Sequence, residues 1–261
     1  MLQLESLLDW WKSQYFIVHV PKTGGTSLFD WFSQIYGPAR CCEHIESMVL
    51  PHPTPATIAH LRQFDIVSGH VPHDYRSVVD PAFRAVTIVR DPAAQFFSHG
   101  NHIRTAHIGA GPLRDIQDLL AVSTGHFLQT ATPDQLRFFE SPQSRPIFGG
   151  GFDWRILSVE QRLDWLRRTY AAVLTTETMH AELDSLQRWP STCAPAGDMP
   201  AAPPNQSLPR LNVKHYRREM LTPDQVAILQ DLLRQDRLLH RALTRHSLGI
   251  PTTDHSQHAM A

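Results

Sequence analysis

The chain of 261 residues is 42% hydrophobic and carries 24 lysines and arginines against 25 acids, for a formal charge of −1. That length can bury a full core, and the charge balance excludes a global field that would drive the protein onto nucleic acid or an anionic membrane. No apolar run reaches the roughly eighteen residues that a membrane-spanning helix requires.

Cys41, Cys42 and Cys193 form neither a CxxC pair nor an even disulfide framework, so free thiols in a reducing compartment are expected. The N-terminal stretch lacks the charged start and small-residue cleavage site of a signal peptide, and the expectation is a soluble cytoplasmic protein. The sixteen histidines add positive charge only in mildly acid conditions.

In chain order, Leu2 to Trp11 reads as a short amphipathic helix and Tyr15 to Val20 as a buried strand. PKTGGTS follows at once, and Leu28 to Tyr36 then gives a helical pattern that stops at Gly37-Pro38. A helix after the PHPTP segment leads to a strand over Asp65 to Ser68 and a GHVPHDY loop. The strand Ala85 to Val89 ends at Arg90-Asp91-Pro92, where proline suits a helix's first turn. Asp115 to Ala121, Pro133 to Glu140 and Val159 to Tyr170 read as helices, Ala172 to Thr176 as a late strand, and Pro223 to Arg245 as one amphipathic helix.

Strands alternating with helices predict an α/β fold with a central parallel sheet flanked by helices. Residues 1–250 are expected to form one domain, with a disordered tail over 251–261 and a surface loop or lid over Pro190 to Pro209.

A glycine turn between a strand and a helix lets backbone N–H groups and the helix N-terminus converge on an anion. Here that turn holds Lys22, Thr23, Gly24, Gly25, Thr26 and Ser27. A chance Gly-Gly turn would not need the lysine and three hydroxyls. An NTP-binding GxxxxGK loop places its lysine after the glycines, whereas this chain places it before them.

The strand-PKTGGTS-helix arrangement resembles the 5′-phosphosulfate loop of the sulfotransferases that use PAPS (3′-phosphoadenosine 5′-phosphosulfate), in particular the carbohydrate group containing the heparan sulfate 2-O- and 6-O-sulfotransferases. The run AVTIVRDPAAQFFSHGNHIR is similar to that family's 3′-phosphate segment, which would make Arg90 and Ser98 the 3′-phosphate ligands. An arginine fork and a nearby helix hydroxyl suit phosphate oxygens. The alternatives are an ion pair of Arg90 with Asp91 and a solvent-facing Ser98. The resemblance covers residues 15 to 104. Later likenesses in FLQTATPDQLRFF, AVLTTETM and PRLNV (209 to 213) are weak.

The resemblance implies a P-loop-containing nucleotide-binding fold with PAPS as donor, PAP as product and a hydroxylated acceptor, a glycan or small metabolite, and it implies no metal. It makes Lys22 the cation at the leaving oxygen and His70, in a GHV triplet after the second predicted strand, the base. His73 is the rival base, and Glu43 and Glu46 are weaker ones. His99 and His102 share a helix face but lack a metal-site pattern, and read as solvated. A P-loop nucleotide kinase or phosphotransferase is the alternative enzyme, and a non-catalytic nucleotide-binding protein is a third reading.

Overall fold

A computed structural model describes residues 13–188 and 219–245. The expected helix at Leu2 to Trp11, the Pro190 to Pro209 segment, PRLNV, Cys193 and the tail after Pro251 lie outside the described residues.

The strands are β1 (Tyr15–Val18), β2 (Cys41–Cys42), β3 (Ile66–Gly69), β4 (Arg84–Val89) and β5 (Tyr170–Thr175). They form one sheet in the order β2-β3-β1-β4-β5, with every neighbouring pair parallel. The α/β expectation of a parallel sheet flanked by helices is what the structure has. The YFIV run of β1 has no polar alternation because both faces of a parallel sheet are covered. Phe16 and Val18 point into one core, Tyr15 and Ile17 into the other.

On the second face α1 (Gly25–Tyr36) buries Leu28, Trp31, Phe32, Ile35 and Tyr36 at helical spacing. The first face is covered by several helices. These include α2 (Glu46–Val49), α3 (Pro55–Leu61), α4 (Asp74–Val79), α9 (Ser144–Phe148) and α10 (Val159–Thr169). A third apolar cluster joins α5 (Pro92–Thr105), α6 (Pro112–Val122), α7 (Thr124–Thr130) and the end of α8 (Pro133–Phe138) to α12 (Pro223–Leu232). The helix α11 (Met179–Arg188) follows β5.

One expectation changes, and one strand is new. The predicted helix Pro223 to Arg245 is two helices, α12 and α13 (Arg234–Arg245), broken at Leu233. The two segments serve different cores: Leu229 and Leu233 belong to the third cluster, Leu239 and Leu243 to the first sheet face. The Ser141 N–H also takes the Leu232 carbonyl at 3.0 Å. Strand β2 carries no signal in the sequence, because two residues are too few to show a period.

Trp31 is fully buried beneath the sheet. Trp31→Ala should cost about 3–5 kcal/mol through lost burial and a residual cavity. Urea unfolding of the two proteins measures the difference.

Candidate active site

Because β1 lies between β3 and β4, the loops that leave their carboxyl ends stand side by side. They line a cleft of about 700 Å³. The β1 loop contributes Lys22, Thr23, Gly24, Gly25, Thr26 and Ser27, the β3 loop His70, and the β4 turn Arg90, with Ser98 supplied by α5. The residues assigned from the sequence to the nucleotide, together with Lys22 and His70, therefore line one space, while the rival bases His73, Glu43 and Glu46 do not. None of the described residues lining it is Asp or Glu.

The first loop is shaped by hydrogen bonds to its carbonyls. The Thr23 hydroxyl donates to the Val20 carbonyl at 2.9 Å, Gln95 to that of Pro21 at 2.9 Å, Arg90 to that of Lys22 at 3.2 Å, and Thr176 to that of Thr23 at 2.7 Å. These bonds occupy the carbonyl oxygens of four successive residues, Val20 to Thr23. Helix α1 then starts with N–H groups at Gly25, Thr26 and Ser27 that have no intrahelical acceptor, since its first bond runs from Leu28 to Gly24. Its first turn contains no acidic residue. These N–H groups and the positive end of the helix dipole are the arrangement that can seat an anion. The Thr23 side chain is buried and serves the loop, leaving Thr26 and Ser27 as the accessible hydroxyls.

Lys22 has φ 66, a left-handed conformation that costs a residue with a Cβ about 1–2 kcal/mol. Gly24, at φ 103, occupies the same region without that cost.

A histidine cluster closes one end of the cleft. His70 Nδ1 is 2.8 Å from the His19 carbonyl oxygen, which can only accept, so Nδ1 carries the proton and Nε2 the lone pair. The His70 backbone N–H donates to Glu46 Oε2 at 3.1 Å, and His44 Nδ1 lies 3.3 Å from Glu46 Oε1. Burial opposes ionisation of Glu46, but hydrogen bonds from its own and the His70 N–H hold the carboxyl below its usual range. His44, Glu46 and His70 bring ligand atoms within 4.8 Å of one another. Both Glu46 oxygens and His70 Nδ1 already have partners, however, and the group works as a hydrogen-bonded bracket. Glu43 is raised by burial.

The sequence gives no cue for His19. Its ring is 4.3 Å from that of His70, and burial followed by repulsion from His70 lowers it to about 3, so it is neutral when folded. Gly25 makes room for it: a Cβ there would lie 2.1 Å from the His19 ring. The sequence also gives no cue for Gln95, Gln143 or Thr176, which act through side chains distant in sequence.

His73 lines neither this cleft nor its neighbour. It is 6% exposed, packs against Trp165 and Tyr170, and burial lowers it to about 4. His99 corrects the solvated expectation: it is largely buried, lines the cleft, and is lowered to about 4 first by burial. His102 is exposed at the rim.

A second cleft of about 630 Å³ shares His19, Pro21 and His70 with the first and continues along Pro72, Pro146, Phe152, Asp153 and Arg155. His70 thus stands where the two spaces meet.

Gly25→Ala should displace the His19 ring and, with it, the carbonyl-bound His70; the expected sign is a shift of both imidazole resonances in NMR spectra. His19, His73 and His99, neutral when folded, take up protons on unfolding. Stability therefore rises with pH from their folded values up to the ordinary 6.5 and is level above it. Each should make the protein on the order of 2 kcal/mol less stable at pH 5 than at pH 7. His73→Phe should remove about a third of their combined loss, read from urea midpoints at the two pH values.

No protein-family model matches the sequence, and no curated protein does. Among solved structures, the chain is similar to the mouse sulfotransferase SULT7A1 complexed with PAP. The TM-score is 0.40 and the identity 14%, with 94% of this chain and 93% of that chain covered. The functional reading rests on the residues of the clefts.

Proposed function

We propose that the chain is a PAPS-dependent sulfotransferase that moves a sulfuryl group to an acceptor hydroxyl, with a carbohydrate as acceptor class, giving PAP and a sulfate ester. One observation carries the reading: a single cleft holds a phosphate loop with its lysine ahead of the glycines, a separate arginine and serine, and a histidine whose Nε2 lone pair is available. Residues 1–250 would form one catalytic domain working in the cytoplasm.

In this reading the N–H groups of Gly25, Thr26 and Ser27 take the 5′-phosphosulfate, and Arg90 with Ser98 takes the 3′-phosphate. The acceptor oxygen attacks sulfur in line with the bridging oxygen. Its proton passes to His70 Nε2, the new O–S bond forms as the bridging S–O bond breaks, and the electron pair leaves on the phosphate oxygen of PAP. Lys22 meets the negative charge developing there. The donor brings its own leaving group, so the chemistry requires no metal. A nucleotide kinase would place carboxylates around magnesium at the phosphates. A lining without carboxylates among the described residues favours PAPS.

With PAPS and a panel of sugars, PAP release should fall about 10²–10⁴-fold in His70→Ala while PAP binding persists. Lys22→Gly should lose transfer to a similar degree yet be no less stable than the wild type, because glycine relieves the left-handed strain. Unchanged turnover in both variants would overturn the assignment.

A further inference from the structure

Helix α13 carries two polar side chains one turn apart, Asp236 and His240, and both lead to consecutive residues of the β4–α5 turn. Asp236 is 1% exposed, and its carboxylate accepts the N–H groups of Gln143 at 3.0 Å and Ser144 at 2.8 Å, at the start of α9. Gln143, also 1% exposed, grips the Arg90 backbone from both sides. Its Oε1 accepts the Arg90 N–H at 2.9 Å and its Nε2 donates to the Arg90 carbonyl at 2.9 Å. The Arg90 guanidinium then reaches the Lys22 carbonyl. On the other side, His240 Nε2 lies 3.4 Å from Glu177 Oε2, and Glu177 Oε1 accepts the Asp91 N–H at 3.2 Å.

A buried carboxylate is costly unless its oxygens are used, and a buried amide is costly unless both its ends are. Here the carboxylate is spent on the N–H groups of Gln143 and Ser144, and both ends of the Gln143 amide on the backbone of Arg90. A strand end that only needed packing would be served by apolar side chains.

We propose that Gln143, itself held by Asp236, is a positioning residue for Arg90: it fixes the backbone from which the guanidinium meets the 3′-phosphate. This rests on the PAPS reading of the cleft and adds to it the element that sets the donor's distinguishing contact. The pairing couples α13 to the nucleotide through two buried side chains, neither of which lines the cleft.

The test is calorimetric titration of Gln143→Leu with PAP and with AMP, which lacks the 3′-phosphate. PAP affinity should fall about tenfold or more, the cost of leaving the Arg90 backbone groups unpaired, while AMP affinity changes less than about twofold. Arg90→Ala should show the same pattern, and the double variant should be no weaker than Arg90→Ala alone. Asp236→Asn, which turns an amide donor toward an N–H, provides an independent second variant should Gln143→Leu not fold, and should lower the PAP-to-AMP ratio in the same way. Equal loss of PAP and AMP binding, or no loss of either, would overturn the positioning role. A wild-type protein without preference for PAP over AMP would instead overturn the donor reading, and this inference with it.

Discussion

The hydrogen bond from the Arg90 guanidinium to the Lys22 carbonyl joins the two proposed anion sites, which arise from different strands. With its companions from Gln95 and Thr176 it ties down three successive carbonyls of the β1 loop, and so fixes the backbone whose N–H groups are proposed to take the phosphate. The order of the sheet makes these bonds possible: with β1 between β3 and β4, the first loop is flanked by both others. The strain at Lys22 follows from the same constraint, since a loop pinned at successive carbonyls has few conformations left.

Burial supplies the second organising effect. The His19 ring, held neutral against that of His70, adds no charge beside the proposed base, and its carbonyl fixes the tautomer that frees Nε2. Glu46 then sets the backbone direction of His70. The proposed base is thereby oriented by a carbonyl after β1 and a carboxylate at the start of α2.

Four of the five strands and the motif residues of the cleft were legible in the sequence because they depend on local signals. Long apolar runs mark β1 and β4, and a glycine turn with a lysine marks the loop. What was not legible depends on distance. Gln143 sits in an SPQS segment with no periodicity, and its role exists only because α9 packs beneath the end of β4. His19 looks like one more strand residue until Gly25 brings the helix against it. The break at Leu233 was invisible for a related reason: one amphipathic pattern runs through both α12 and α13, and only the packing shows that it is divided between two cores.

The most direct measurement is calorimetric titration of the full chain with PAP, AMP and ATP plus magnesium. PAP bound at least about tenfold more tightly than either competitor is the predicted result, because only PAP offers a 3′-phosphate to the arginine fork. Tighter binding of ATP with magnesium, or no nucleotide bound, would contradict a PAPS-dependent sulfotransferase.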